Sequence, residues 1–365
     1  MIVAENFEKI IEKISELETK LKSRNFDVNR ESFDGCEVIL ARKKETKKHL
    51  ILQSGLHGIE GYVGFSMIYH FVMHMLENDS DYNSFDYTFI INANPFGVKN
   101  KRRVNENNVD LNRNFLIKEE EFIKSKDDYY LIDEVINPKE KVKSFYLSYL
   151  KTIFGILRLV LKIGTAKFKH TLLCGQRYNP HGAYYMGDGF QKQTVFLKEL
   201  YQKLFKEKGS ENTIFIDLHT GYGPSYQMSI VNSSFMKNEK LAKGLCEKYP
   251  LVVQSNTESF YEMKGDLIDF IYKSYPAINY ATSFEFGTFG DSTFAGIKSI
   301  VALVLENQYF YNNLDGETKK VTELDKLGKK ILSFYEMAYF PKNNRWWKKA
   351  ILDFEKGISS ILKII

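Results

Sequence analysis

Apolar side chains recur along this chain at two spacings, one helical and one extended. Phe7, Ile10, Ile11, Ile14 and Leu17 return at helical intervals with Glu and Lys between them, which predicts an amphipathic helix over 5–23. Residues 36–41 and 49–53 are short apolar runs around a lysine-rich turn and read as strands. The second run ends in Ser54-Gly55-Leu56-His57-Gly58, where glycine permits a tight bend, and a helix over 61–77 follows. A buried strand is expected at 87–93, stopped by Asn94-Pro95-Phe96-Gly97. Further strands are expected at 213–219, 226–231 and 278–286, with helices at 238–248, 292–313 and 321–338. This alternation predicts an α/β fold: a mixed, mostly parallel central sheet flanked by helices on both faces. In such sheets ligands bind at the carboxyl ends of the central strands.

Composition narrows the picture. The 365 residues suffice for a full core, and 44% hydrophobic with 15% aromatic content excludes a disordered chain. Fifty-one basic against 46 acidic residues leave a net charge of +5, too small an excess for a nucleic-acid binder. Cys36, Cys174 and Cys246 are widely spaced and form no Cys-x-x-Cys, which fits reduced thiols better than a disulfide framework. The start, Met1-Ile-Val-Ala-Glu-Asn-Phe, has an early acid and no long apolar run, so the expectation is a cytoplasmic protein without a signal peptide.

Four short motifs carry the candidate chemistry. They are His57-Gly58-Ile59-Glu60, Val109-Asp110-Leu111-Asn112-Arg113-Asn114-Phe115, Asp217-Leu218-His219 and Glu285-Phe286-Gly287, each at the end of an apolar run. His57, Glu60 and His219 can hold one Zn2+ per chain through two imidazoles and a carboxylate, leaving a coordination position open as catalytic zinc sites do. Glu285 is a further acid, available as general base. His70 and His74, four apart on a predicted helix, lack an accompanying carboxylate and read as surface or core residues.

In this order the motifs resemble the zinc carboxypeptidase superfamily, from His49 to Glu306. The resemblance implies zinc on His57, Glu60 and His219, with Asp110 accepting a hydrogen bond from the first histidine. It implies that Asn112 and Arg113 grip the substrate carboxylate and that Glu285 is the general base. The arginine that polarises the scissile carbonyl is Arg102 or Arg103, of which Arg103 has the better spacing to Asp110. Tyr261 to Asp269 resembles the family's mobile-tyrosine segment, making Tyr261 a substrate contact and Ile268 the floor of the specificity pocket. The stretch Gln176-Arg-Tyr-Asn-Pro-His-Gly182-Ala-Tyr-Tyr-Met-Gly187 is similar to a bacterial branch described as a domain of unknown function. That branch lies beside the aspartoacylase- and succinylglutamate-desuccinylase-like deacylases.

Two activities follow from the resemblance. One is a metallocarboxypeptidase acting on a peptide, and the other an amidohydrolase acting on an N-acyl amino acid with the same zinc site. A non-catalytic binding protein on the same scaffold is a third, remote reading. The expected organisation is one catalytic domain over 1–340, with a helical insertion at 116–182 and a C-terminal amphipathic helix over 341–365. Within the insertion, 145–164 is strongly apolar but carries Lys151, Arg158 and Lys162, too many charges for a membrane span. These cations share one helical face. Peripheral membrane contact is one reading, and a helix packing its apolar face on the domain is the favoured one.

Overall fold

A computed structural model describes residues 2–44, 46–78, 82, 84–124, 128–249, 251–254, 263–314 and 324–363. Helix α1 (Phe7–Ser23) leads into β1 (Asp27–Phe33), β2 (Cys36–Arg42) and β3 (Lys48–Ser54). After α2 (Gly61–His70), a π-helical turn (Phe71–Met75) and α3 (Leu76–Asn78) come β4 (Phe85–Ile91) and α4 (Pro95–Lys99). The stretch before β5 (Thr213–Thr220) holds α5 (Glu120–Lys124), α6 (Asp133–Ile136), α7 (Phe145–Ile163), α8 (Thr165–Leu173) and α9 (Lys192–Lys208). Then follow β6 (Met228–Asn232), α10 (Glu239–Lys248), β7 (Val252–Gln254), α11 (Leu267–Ser274) and β8 (Tyr280–Phe286). Helices α12 (Thr293–Asn312), α13 (Lys326–Tyr339) and α14 (Asn344–Leu362) complete the order.

The strands form one sheet in the order β1-β2-β4-β3-β5-β8-β6-β7. Its centre, β4-β3-β5-β8, is parallel, while β1, β2 and β6 meet their inner neighbours antiparallel. Central strands covered on both faces need nearly continuous apolar sequence, because alternate side chains point into different cores. Thus Leu50 and Leu52 of β3 join one cluster with residues of α1, α2, α12 and α14. Ile51 between them joins the other cluster, with residues of α9 and α11. Trp346 and Trp347 of α14 are buried, and their indole N–H groups donate to the carbonyls of Gly287 and Pro341 at 2.8 and 2.7 Å.

The α/β architecture with a mixed sheet is the predicted one; several boundaries differ. Strand β4 begins at Phe85, two residues early, because Asp86 is buried and held by Lys43 N at 2.7 Å and by Lys208. The helix expected over 61–77 is interrupted by the π-turn, and the strand expected from 226 starts at Met228. At the base of β3, buried His49 pairs through Nε2 with Thr88 Oγ1 at 2.8 Å, and its Nδ1 has no hydrogen-bond partner among the described residues. Among the described residues no helix is long and apolar enough to cross a membrane.

Candidate metal centre

The site is assembled at the carboxyl ends of β3, β5 and β8. Beyond β3 the chain bends at Gly55, whose φ of +78° suits glycine, and enters a 3-10 turn over Gly58–Glu60. That turn docks on the segment after α4: Gly58 N donates to Arg103 O at 3.1 Å and Ile59 N to Arg102 O at 2.9 Å. Only glycine fits at 58, since a Cβ there would lie 2.1 Å from the carbonyl carbon of Gly97. The docking points consecutive arginines in opposite directions. Arg102 is buried against Glu306 (2.8 Å), Asn307 (2.8 Å) and the Phe310 ring, away from the histidines. Arg103 faces the centre.

His57, Glu60 and His219 are all buried, and one donor atom from each lies within 4.8 Å of the others. Zinc bonds of ~2.0–2.2 Å bring ligand atoms to at most about 4.4 Å apart, so small side-chain shifts complete a coordinating set. The donor chemistry fits a catalytic ion: two imidazoles, one carboxylate and no thiol. His219 lies 3.2 Å from Glu60 Oε2 through Nδ1, while Nε2 pairs with Asp217 Oδ2 at 2.7 Å. Gln53 donates to Asp217 Oδ1 at 3.2 Å, and the Tyr201 hydroxyl donates to Gln53, so a buried chain of bonds orients His219. Glu60 Oε2 also accepts from Thr220 N at 2.8 Å. Arg103 Nη2 donates to His57 Nε2 at 2.7 Å, and Nε donates to Asp110 Oδ2 at 2.9 Å. Asp110 Oδ1 lies 3.3 Å from the buried Nδ1 of His57.

Charge is distributed unevenly over the cluster. Burial and Arg103 lower the affinity of His57 for a proton, which favours the neutral ring that a metal ligand requires. Burial opposes the charge of His219, yet Asp217, Glu60 and Glu285 raise its pKa well above the usual imidazole value. Against its own desolvation, Asp110 is held well below the carboxylate range by Arg103 and His57. Glu285 stands in register with His219 across the parallel β5–β8 pair. Burial and the nearby Glu60 outweigh His219 and Arg103 there, and its pKa is pushed up to about 7.

Beyond Arg103 lies a second guanidinium. Arg113, itself buried, donates from Nε to Leu173 O (2.8 Å), from Nη1 to Asn112 O (2.7 Å) and from Nη2 to Met263 Sδ (3.3 Å). Among the described residues no carboxylate pairs with it, and two of its five N–H groups meet no acceptor. The Asn112 amide donates to Asp266 Oδ2 at 3.0 Å and accepts from Leu267 N at 2.9 Å, tying Arg113 to the start of α11. Ile268, the next residue of α11, is buried in the second core cluster. Tyr261 lies outside the described residues. Two neighbours had no role assigned from the sequence, although Tyr184 lies within the Gln176–Gly187 stretch. Tyr184, at φ +59°, lies with its ring 5.2 Å from the Arg103 guanidinium and 5.6 Å from that of Arg113. Tyr339 packs on Gly221, near Tyr184, Arg103 and Glu60, each of which influences its hydroxyl.

This fold is shared with solved structures. Bovine thrombin-activatable fibrinolysis inhibitor, in complex with tick carboxypeptidase inhibitor, superposes with a TM-score of 0.51 at 14% identity over 98% of this chain and 97% of that one. A second structure of thrombin-activatable fibrinolysis inhibitor gives 0.50 and 14% identity over 99% and 78% of the two chains. Carboxypeptidase A from Helicoverpa armigera gives 0.49 and 15% over 93% and 75%. At 14% identity the likeness to the first two speaks for the fold alone. No curated protein matches the chain in sequence. A family model described as "Protein of unknown function (DUF2817)" matches residues 8–353, nearly the whole chain, and the chain therefore belongs to that family.

Proposed function

We propose that this chain is a zinc-dependent hydrolase that cleaves an amide bond next to a free carboxylate, as a metallocarboxypeptidase does. The observation that carries the reading is the convergence of His57, Glu60 and His219 with Glu285 at adjacent strand ends, flanked by the cation of Arg113. His57, Glu60 and His219 would hold the ion, and Asp217 and Asp110 would orient the imidazoles. Zinc, when bound, supplies Lewis-acid polarisation and a nucleophile at neutral pH. Glu285 takes a proton from the attacking water at its carboxylate and returns it to the leaving nitrogen, a duty suited to a group titrating near neutrality. Arg103 has N–H groups beyond its bonds to Asp110, His57 and Glu60, and these can meet the charge developing on the carbonyl oxygen. Arg113 receives the carboxylate, with Asn112 holding Arg113 against α11 and Ile268 limiting the side-chain pocket; Tyr261 completes the substrate contacts.

The test is a pair of N-blocked dipeptides, one ending in a free carboxylate and one in an amide, given to the zinc-loaded protein. Losing a charge-assisted pair costs ~1.5–3 kcal/mol, so the amide should react at least ~10-fold more slowly in kcat/KM. Arg113→Met should bring the two rates together. Equal rates with the parent protein would rule out an enzyme that reads a terminal carboxylate. Turnover of N-acyl amino acids with no dipeptide cleavage would replace the peptidase reading by a deacylase.

A further inference from the structure

Between Lys141 and Gly187 the chain contains eight lysines and arginines and no aspartate or glutamate, although its overall net charge is only +5. Helix α7 occupies the middle of this stretch and is apolar on two opposite faces. One face, with Thr152, Ile156 and Leu159 buried, packs on the domain, where Phe145 and Tyr149 set their rings against Phe334 of α13. The other face carries Leu147, Leu150, Phe154, Leu157 and Leu161, spaced three and four residues apart in alternation. All five are solvent-exposed, from 42% at Leu157 to 88% at Leu161. Single exposed leucines are ordinary, but an unbroken stripe along a helix marks a docking surface. Lys151, Arg158 and Lys162 run along one side of the stripe, and Lys143 precedes the helix.

We propose that this face of α7 docks on an anionic lipid bilayer, the helix lying in the plane of the interface. An apolar stripe flanked by cations is the composition of helices that immerse one face among headgroups. Each basic residue near an anionic surface adds attraction. The same charge argues against a second copy of the chain, because two faces lined by Lys151, Arg158 and Lys162, of which Lys151 pairs with the exposed Glu140, would be brought together. Helix α8 follows directly, and its last carbonyl, that of Leu173, anchors Arg113, so docking holds that wall of the cleft close to the bilayer.

The experiment is co-sedimentation of the full chain with phosphatidylcholine vesicles, with and without about 30 mol% phosphatidylserine. Binding should be about tenfold tighter or more to the anionic vesicles and should weaken as salt is raised. Phe154→Ser with Leu161→Ser, and separately Arg158→Glu with Lys162→Glu, should each weaken it about tenfold. All four positions are exposed, so thermal unfolding should match the parent and separate lost binding from lost folding. Equal binding to both vesicle types, or none, overturns the proposal. So does a concentration-dependent dimer, seen by light scattering, that Leu161→Ser dissolves.

Discussion

Glu60 and Glu285 carry the same carboxyl group in opposite electrostatic settings. Both are desolvated, but His57, His219 and Arg103 hold Glu60 ionised, whereas Glu285 is left near 7. Environments that push two acids apart in this way divide ligand from proton carrier. Glu285→Gln keeps the shape and removes the base. The variant should bind zinc as the parent does while hydrolysis falls ~10²–10⁴-fold; activity within a few-fold of the parent removes Glu285 from the mechanism. By contrast, His57→Ala and His219→Ala should lose stoichiometric metal. Where these four residues lie was legible because each is at or just beyond the end of an apolar run, His219 and Glu285 on strands and His57 and Glu60 at the turn after β3, which brings them to the carboxyl ends of inner strands. Asp217 was legible as a neighbour of His219, but its bond to the Nε2 of that ring was not. Tyr184 was singled out only as part of the Gln176–Gly187 stretch, without a role, and Tyr339 not at all. One reaches the arginines through a left-handed residue in a loop, and the other from the end of a helix more than a hundred residues beyond His219.

At the scale of elements, the 3-10 turn at Gly58–Glu60 is the joint on which the ligands depend. Its fit rests on backbone meeting backbone, at Gly97 and at the Arg102 carbonyl, and neither can step aside as a flexible side chain would. Gly58→Ala should destabilise the fold by about 1–3 kcal/mol and lower zinc affinity with it. Gly296→Ala in α12 is the control of opposite sign. It sits in a helix with nothing within 4 Å of the new methyl and should stabilise by about 0.5–1 kcal/mol. Thermal unfolding and zinc titration of both variants decide the matter, and an unperturbed Gly58→Ala protein contradicts the tight joint. Burial decided only part of what was readable, since the well-buried α9 was missed as well. Strand β1 was not foreseen because Asp27-Val-Asn-Arg-Glu-Ser-Phe33 is an edge strand with no fully buried residue, so hydrophobicity leaves no pattern there. In α7 the residues announced an apolar helix, but which of two apolar faces the domain would cover depends on where α12 and α13 lie.

Across the whole molecule, the long-range pairing of β3 with β4 brings His49 to Thr88 and leaves the imidazole enclosed. Enclosure, with Arg42 and Lys208 nearby, depresses its pKa well below the usual histidine value. The folded protein therefore refuses a proton that the unfolded chain accepts. Above the unfolded-state value of about 6.5 neither form is protonated there and the imidazole is neutral in stability. Below it the unfolded chain gains a proton alone, so stability falls with falling pH by up to ~1.4 kcal/mol per pH unit until the folded ring is finally charged. Acid should thus weaken the fold through a residue of an inner strand, at the opposite end of β3 from the metal ligands. Urea unfolding of the parent and of His49→Gln at pH 7.5 and 5.5 measures this. The parent should lose about 1.4 kcal/mol more than the variant between the two, and identical losses would clear His49 of the role.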